Sequence, residues 1–234
     1  LPREIGGIPL DEIGATGFGL AAAAEVAQDF CAVKLAGARV AVQGFGAVGK
    51  HAARFLAARG AILVAASDTS GTIAVRGGID VDALIALKDR GCGVVEYPGA
   101  ERMRRDAIVG VDCDIWIPAA RPDVITMANV NALRTRLILQ GANIPITPEA
   151  EKILHERGVV SVPDFIANAG GVICAAVEYH GGTESLAMQA IGEKIRANTR
   201  AVLSAMRERG VSPRQAAIDL ARERVLTAMS YRRF

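Results

Sequence analysis

Short apolar runs alternate with amphipathic ones along the chain. Arg39-Val40-Ala41-Val42 and Ile62-Leu63-Val64-Ala65-Ala66-Ser67 are near-continuous apolar runs of strand length, the pattern of strands covered on both faces. Between them the helical period takes over. Val48, Ala52, Phe55 and Leu56 share one face, Lys50, Arg54 and Arg59 point away from it, and Gly60 ends the segment. The pattern predicts strands at 39–44, 62–67, 113–117, 137–139 and 159–162, with a short one near Val94-Val95. It predicts helices at 16–32, with Thr16 near the cap, at 47–59 and at about 80–90. Thr147-Pro148-Glu149 starts a further helix: Thr147 caps it, Pro148 fits the first turn, and Glu149 and Glu151 complement its dipole.

Beyond residue 162 the pattern becomes helical, with helices expected at 170–180, 185–209 and 213–229. In the second, Met188, Ile191, Ile195, Val202 and Met206 recur at helical steps. In the third, Ser212, Pro213 and Gln215 form a capping-box start. Strands alternating with helices predict an α/β fold: a Rossmann-like, doubly wound, mostly parallel sheet with a helical tail over about 185–234. The 234 residues read as a single dinucleotide-binding domain, and the start at Leu1 rather than Met reads as a fragment.

The dinucleotide reading rests on Gln43-Gly44-Phe45-Gly46-Ala47-Val48-Gly49. Glycine makes up 25 of the 234 residues, so G-x-G-x-x-G alone carries little weight. Here it lies between a strand and a helix, and Asp68 follows Gly49 by 19 residues at the end of the next strand. Gly44 lets the chain turn sharply, Gly46 lets a pyrophosphate approach the backbone, and Gly49 lets helix and strand pack closely. The helix N-terminus offers free N–H groups to the phosphates, and Asp68 would accept from an adenosine ribose. The acid favours NAD over NADP, although Arg76, a short loop away, could offset its charge.

In such a sheet, ligands bind beyond the carboxyl ends of the strands. Small residues, Pro118-Ala119-Ala120, follow one strand and leave room for a cofactor lying across the edge. Asn143 and Asn168 follow two others. An asparagine amide both donates and accepts, as a nicotinamide carboxamide or a ribose hydroxyl requires. The ordinary alternative for either is a turn residue bonding its own backbone.

Composition narrows the partners. A net charge of +2 with dispersed Lys and Arg, and only 4% aromatics, argues against nucleic acid. No apolar run approaches the roughly 20 residues of a membrane-spanning helix. Four cysteines without a C-x-x-C pair fit a reduced, cytoplasmic setting as small core residues. His51, His155 and His180 lack metal-ligand spacing and are expected at the surface or at helix ends.

The chain resembles the nucleotide-binding domain of the glutamate/leucine/phenylalanine/valine dehydrogenases. The stretches that carry the resemblance are Ala15-Thr16-Gly17-Phe18-Gly19, Val42 to Gly49, Ser67-Asp68, Pro118-Ala119-Ala120, Gln140-Gly141-Ala142-Asn143, Thr147-Pro148-Glu149-Ala150 and Asn168-Ala169-Gly170-Gly171-Val172. The resemblance implies NAD(P)-dependent, reversible oxidative deamination of an L-amino acid to a 2-oxo acid and ammonia, with glutamate favoured. It implies that Thr16 and Asn168 contact the nicotinamide end and that Phe45, Gly46, Ala47 and Val48 line the pyrophosphate turn. Asp68 would meet the adenosine ribose, and Ala119, Ala120 and Asn143 the central cofactor surface. Full-length members are expected to be homo-oligomers, typically hexamers.

Two departures shape the expectation. The family's glycine-rich lysine motif belongs to an N-terminal catalytic domain and is absent here. Lys34, Lys50, Lys88, Lys152 and Lys194 read as solvated surface charge, so no catalytic residue is expected in this chain. Glutamate-specific members carry a serine where Ala175 stands. A methyl group cannot bond a substrate carboxylate, which keeps an apolar amino-acid substrate open. A dinucleotide-binding module without chemistry is the other alternative.

Overall fold

The computed structural model describes residue 3 and residues 6 to 231. Its centre is a seven-stranded sheet. The strands are β1 (Arg39–Gln43), β2 (Ile62–Asp68), β3 (Gly71–Ala74), β4 (Glu101–Met103), β5 (Ile115–Pro118), β6 (Leu137–Leu139) and β7 (Val160–Val162). Their order is β4-β3-β2-β1-β5-β6-β7. The run β2-β1-β5-β6-β7 is parallel, and β3 and β4 add antiparallel pairs at one edge. The doubly wound, mostly parallel α/β fold is therefore present.

The helices are α1 (Leu10–Ile13), α2 (Ala15–Ala27), α3 (Ala47–Ala57), α4 (Val81–Asp89), α5 (Pro148–Glu156), α6 (Asp164–Ala167), α7 (Gly170–Tyr179), α8 (Glu184–Arg209) and α9 (Pro213–Ser230). The two-residue period of the strands splits the core across the sheet. Val40, Val42, Ile115 and Ile117 face Leu20, Leu56 and Ile195 on one side. Ala41, Trp116 and Ile138 face Ile108 and Leu154 on the other. Trp116 is fully buried, and its indole N–H donates to the Ile108 carbonyl at 3.2 Å. Helix α2 presents buried Ala21 to Ala24, whose small side chains let α8 lie close. A methyl group at Gly19 would come within 2.5 Å of Ile195.

Several expected boundaries move. The first long helix ends at Ala27, not 32, and Gly14 rather than Thr16 is its cap. Val94-Val95 belongs to a 3₁₀ turn, Val94–Glu96, not a strand. Its amides serve the loop instead: the Val94 N–H donates to Asp68 at 3.0 Å. The antiparallel edge pair of β3 and β4 was not anticipated, because neither strand carries an apolar run longer than a few residues. Thr147 and Ser212 cap α5 and α9 as expected. Only half of the second capping box forms, since Gln215 turns its amide to Asp219.

The strand order puts β1 between β2 and β5. The chain leaves β1 toward β2 on one side and later returns on the other as β5. Their carboxyl ends therefore flank the crevice where an open α/β sheet binds ligands.

Candidate functional site

Gly44 makes the turn out of β1 with φ +93°, a conformation that disfavours any side chain. Its N–H and that of Phe45 both donate to the Ser67 carbonyl, at 3.0 and 2.7 Å, which ties the turn to β2. A methyl group at Gly44 would lie 2.6 Å from that of Ala120, and one at Gly49 would lie 2.1 Å from the Gly44 carbonyl oxygen. These two glycines are needed for close packing. Gly46 is different: a methyl group there would meet nothing within 4 Å. The open space lies over the N-terminus of α3, which has no side-chain cap, so its first N–H groups are unclaimed. A pyrophosphate fits this arrangement.

A cleft of about 490 Å³ opens beside the turn, walled by Gln43 to Gly46, Ser67 to Thr69 and Ala119 to Arg121, with Lys88 and Arg105. The strand ends expected to hold a cofactor thus converge. Ala119 and Ala120 form one wall, as small residues must if a flat group is to lie across them. Phe45 contributes backbone only, for its ring is 1% exposed and belongs to the core. Ala47 is exposed and Val48 half-buried at the start of α3.

Asp68 sits at the end of β2 as expected, with its oxygens already engaged. Oδ1 accepts from the Ser70 N–H at 2.8 Å and the Ser70 hydroxyl at 2.5 Å. Oδ2 accepts from Lys88 at 2.5 Å and the Val94 N–H at 3.0 Å. Burial alone would raise this carboxyl; Lys88 and the hydrogen bonds from Ser70 and Val94 outweigh it and hold the group below the ordinary carboxylate range. Lys88 is therefore not solvated surface charge but half of a shielded ion pair, its side chain 22% exposed. It arrives on α4, in the helix's last turn. Arg76 is exposed and does not line the cleft, so the offsetting charge comes from Lys88 instead.

The other end of the site lies beyond β6 and β7. The Asn168 amide donates to Asn143 Oδ1 at 2.8 Å and to the Gly141 carbonyl at 3.4 Å. Asn143 is exposed and Asn168 half-buried. Thr16, half-buried on α2, lies against the start of α7: a methyl group at Gly171 would be 3.3 Å from its hydroxyl. Thr16, Asn143 and Asn168 thus gather at one edge of the sheet. Ala175 lies on an exposed face of α7 together with Val172, Ala176 and Tyr179.

The sequence did not point to what holds this edge in place. Asp164, 6% exposed at the start of α6, accepts from the Ile144 N–H at 2.8 Å, next to Asn143. Ile144 has φ +48°, unfavourable for a β-branched residue, so the Asp164 bond helps fix a strained turn. Arg214, on the first turn of α9, bonds Asp164 at 3.1 Å, Gln140 at 2.9 Å and both oxygens of Glu151. Burial would lower the guanidinium's pKa, and the Glu151 and Asp164 carboxylates raise it instead. No local pattern announces such contacts, because the partners lie 50 to 74 residues away.

His51 also departs from expectation. It is 6% exposed in mid-helix, packed under Gly14 and Gly17, not at a surface or a helix end. Cys31 and Cys113 are free, and burial pushes their thiols up to about 11 and about 12. Among the described residues no group of histidines, cysteines and carboxylates could hold a metal ion, and no helix is long and apolar enough to cross a membrane.

The model of the glutamate/leucine/phenylalanine/valine dehydrogenase family matches residues 6–233. The chain is 38% identical to a glutamate dehydrogenase of Aeropyrum pernix over 242 aligned residues, which cover 99% of this chain and 57% of that protein. It is 39% identical over 178 residues to an NADP-specific glutamate dehydrogenase of Saccharolobus shibatae, covering 76% of this chain and 42% of that one. The fold matches the crystal structure of a hetero-hexameric glutamate dehydrogenase of Thermus thermophilus in its leucine-bound form, with a TM-score of 0.83 and 24% identity. That match covers 95% of this chain and 54% of the other. The chain spans about half the length of the curated relatives it matches. A family-model match over nearly the whole chain, together with relatives 38% and 39% identical, settles the assignment: the chain belongs to the glutamate/leucine/phenylalanine/valine dehydrogenase family.

Proposed function

We propose that this chain is the cofactor-holding part of an NAD(P)-dependent amino-acid dehydrogenase that interconverts an L-amino acid with its 2-oxo acid and ammonia, glutamate being favoured. The observation that carries this reading is the pairing of two features along one sheet edge: the Gly44–Gly49 turn with its cleft, and the Asn143–Asn168 pair beside Thr16. The first suits a dinucleotide's phosphates and adenosine, the second the amide and hydroxyl groups of its nicotinamide half. The bound dinucleotide would supply the hydride acceptor and donor. This chain's residues would place its ring over the exposed edge near α7, with the Asn168 amide oriented by Asn143. The proton transfers to and from the amino group are assigned to parts of the whole protein outside these 234 residues.

Glutamate is favoured because the relatives named above are glutamate dehydrogenases. A second reading, an apolar amino acid, draws on the exposed face of α7. Ala175 and Val172 there offer a carboxylate side chain no donor. Steady-state rates of reductive amination by the whole protein across a panel of 2-oxo acids decide between them. Preference for 2-oxoglutarate supports the first reading, and its inertness alongside active branched or aromatic 2-oxo acids supports the second. Inertness of every 2-oxo acid with both NADH and NADPH would remove the dehydrogenase reading. The whole protein is proposed to be an oligomer, a reading supported by the hexameric assembly of the Thermus thermophilus protein, which is itself hetero-hexameric; that the subunits here are of one kind is an expectation.

A further inference from the structure

We propose that His51 is a positioning residue for the nicotinamide end of the site: its neutral imidazole holds the α1–α2 turn, and Thr16 with it, against α7, and protonation of the ring releases both. The inference rests on the dinucleotide reading above and names the residue that sets one end of that site.

Three observations converge. The first is a three-layer stack without slack. Thr16 lies in the first turn of α2, and glycines line the contacts on both sides of it. Toward α3, a methyl group at Gly14 would lie 2.4 Å from the His51 ring, and one at Gly17 would lie 2.6 Å from the His51 Cβ. Toward α7, one at Gly170 would lie 2.1 Å from the Ala15 carbonyl oxygen and 3.1 Å from the Thr16 Cα. The segment that bears Thr16 is thus pressed between His51 and the start of α7, next to Asn168. Close packing leaves nothing to absorb a shift at His51 before it reaches Thr16.

The second observation is the state of the ring. His51 is 6% exposed, and its Nδ1 is buried without a hydrogen-bond partner. A neutral imidazole leaves one nitrogen as a bare acceptor, whereas an imidazolium donates from both. Protonation would therefore enclose a charged N–H with nothing to receive it, unless the seam opens to water.

The third is the charge around it. On α3, Lys50 and Arg54 flank the ring. Helix α1 brings Asp11 and Glu12, whose side chains are exposed, and Glu12 pairs with Arg3 at 3.5 Å. Helix α4 brings Asp89, already bonded to Lys50 at 2.9 Å. Ala15 to Ala24 of α2 hold no ionisable group. Burial first, then Arg54 and Lys50, keep the ring neutral to below the usual histidine range and outweigh the Asp11 backbone and Asp89, which favour its charge. The clamp is closed at neutral pH and opens in acid.

The test compares NAD⁺ with ADP-ribose, which share adenosine and pyrophosphate and differ by the nicotinamide. Both are titrated calorimetrically into this chain from about pH 8 down to the pH at which it unfolds. If the chain takes the 2′-phosphorylated pair instead, NADP⁺ and 2′-phospho-ADP-ribose serve, because the added phosphate cancels in the ratio. The His51 imidazole C–H resonance is followed in a chain carrying His155→Gln and His180→Gln, where His51 is the remaining histidine. At about pH 8 the dinucleotide is expected to bind about fivefold tighter than its partner, and this ratio to fall about threefold or more as His51 protonates. His51→Gln, neutral throughout, is expected to keep the higher ratio at every pH. The parent's ratio against its own His51 titration decides the matter should that variant not fold. Equal binding of the pair near pH 8, a ratio that stays constant while His51 titrates, the same fall in His51→Gln, or a His51 that stays neutral until the chain unfolds would overturn the proposal and leave the dinucleotide reading intact. Folded chain that binds none of the four ligands would overturn both.

Discussion

At the residue scale the three glycines of the turn are not equivalent, and the difference is measurable. Gly49 is pressed against the Gly44 carbonyl, so Gly49→Ala must displace helix α3 from β1; a loss of about 3 kcal/mol of stability is expected in urea unfolding. Gly46 faces open space with φ −101°, which an alanine adopts freely. Gly46→Ala is therefore expected to change stability by less than about 1 kcal/mol while weakening dinucleotide binding about tenfold or more, because its methyl group occupies the phosphate's approach. If Gly46→Ala binds as the parent does, the phosphate is not where the turn implies. The packing roles of Gly44 and Gly49 and the open space over Gly46 were legible in the sequence because both follow from spacing along one βαβ unit. The partners of Asp68 were not: Lys88 and Val94 stand 20 and 26 residues further on and reach it only through the folding of α4 over the end of β2.

At the element scale, the site depends on the helical tail. Helix α9 starts at Pro213 and immediately commits Arg214 to Glu151 on α5, Gln140 beyond β6 and Asp164 at the start of α6. Asp164 in turn holds the turn at Ile144, beside Asn143. Arg214→Met would leave two carboxylates facing each other without their cation, and a loss of about 3 kcal/mol is expected. The same variant should weaken dinucleotide binding more than 5′-AMP binding, since the disturbed turn is at the nicotinamide end. Parallel losses for both ligands would show that α9 matters to stability alone. The alternation of strands and helices made the parallel strands and the long helices readable from residue order. The β3–β4 edge was not, because four- and three-residue strands take their shape from pairing with β2 and each other rather than from their own apolar content.

At the scale of the whole molecule, buried charge makes stability pH-dependent in two stages on the acid side. His51 lies in the seam between α3 and the α1–α2 turn. Burial first, and then the neighbouring Arg54 and Lys50, lower its pKa below 6.5. Its neutral form is the one that fits the fold. Its contribution is complete above pH 6.5 and is lost as pH falls through the lowered native value. Glu25 and Asp68 act at lower pH. Burial opposes their charge, but Arg196 and Arg59 on Glu25, and Lys88 on Asp68, lower both carboxyls from 4.5 and 3.8. Their stabilisation is present above those values and disappears as pH falls through the lowered ones. Urea midpoints are thus expected to be flat between pH 6.5 and 9.0, to decline above 9.0 as the Cys31 and Cys113 thiols ionise in the unfolded chain, to decline below pH 6.5 and to decline again below pH 4.5. His51→Gln should remove the first decline and keep the second; an unchanged profile would show that His51 is not the group responsible.

On the proposed function, these elements assemble one nicotinamide-dinucleotide site at the β1–β5 crevice. Calorimetric titration of the chain with NADH and NADPH tests it most directly. Saturation at one dinucleotide per chain is expected, lost in Gly46→Asp, whose carboxylate would occupy the phosphate position while the circular dichroism spectrum stays that of the parent. A folded chain that binds neither, or a Gly46→Asp variant that binds either undiminished, would contradict the account.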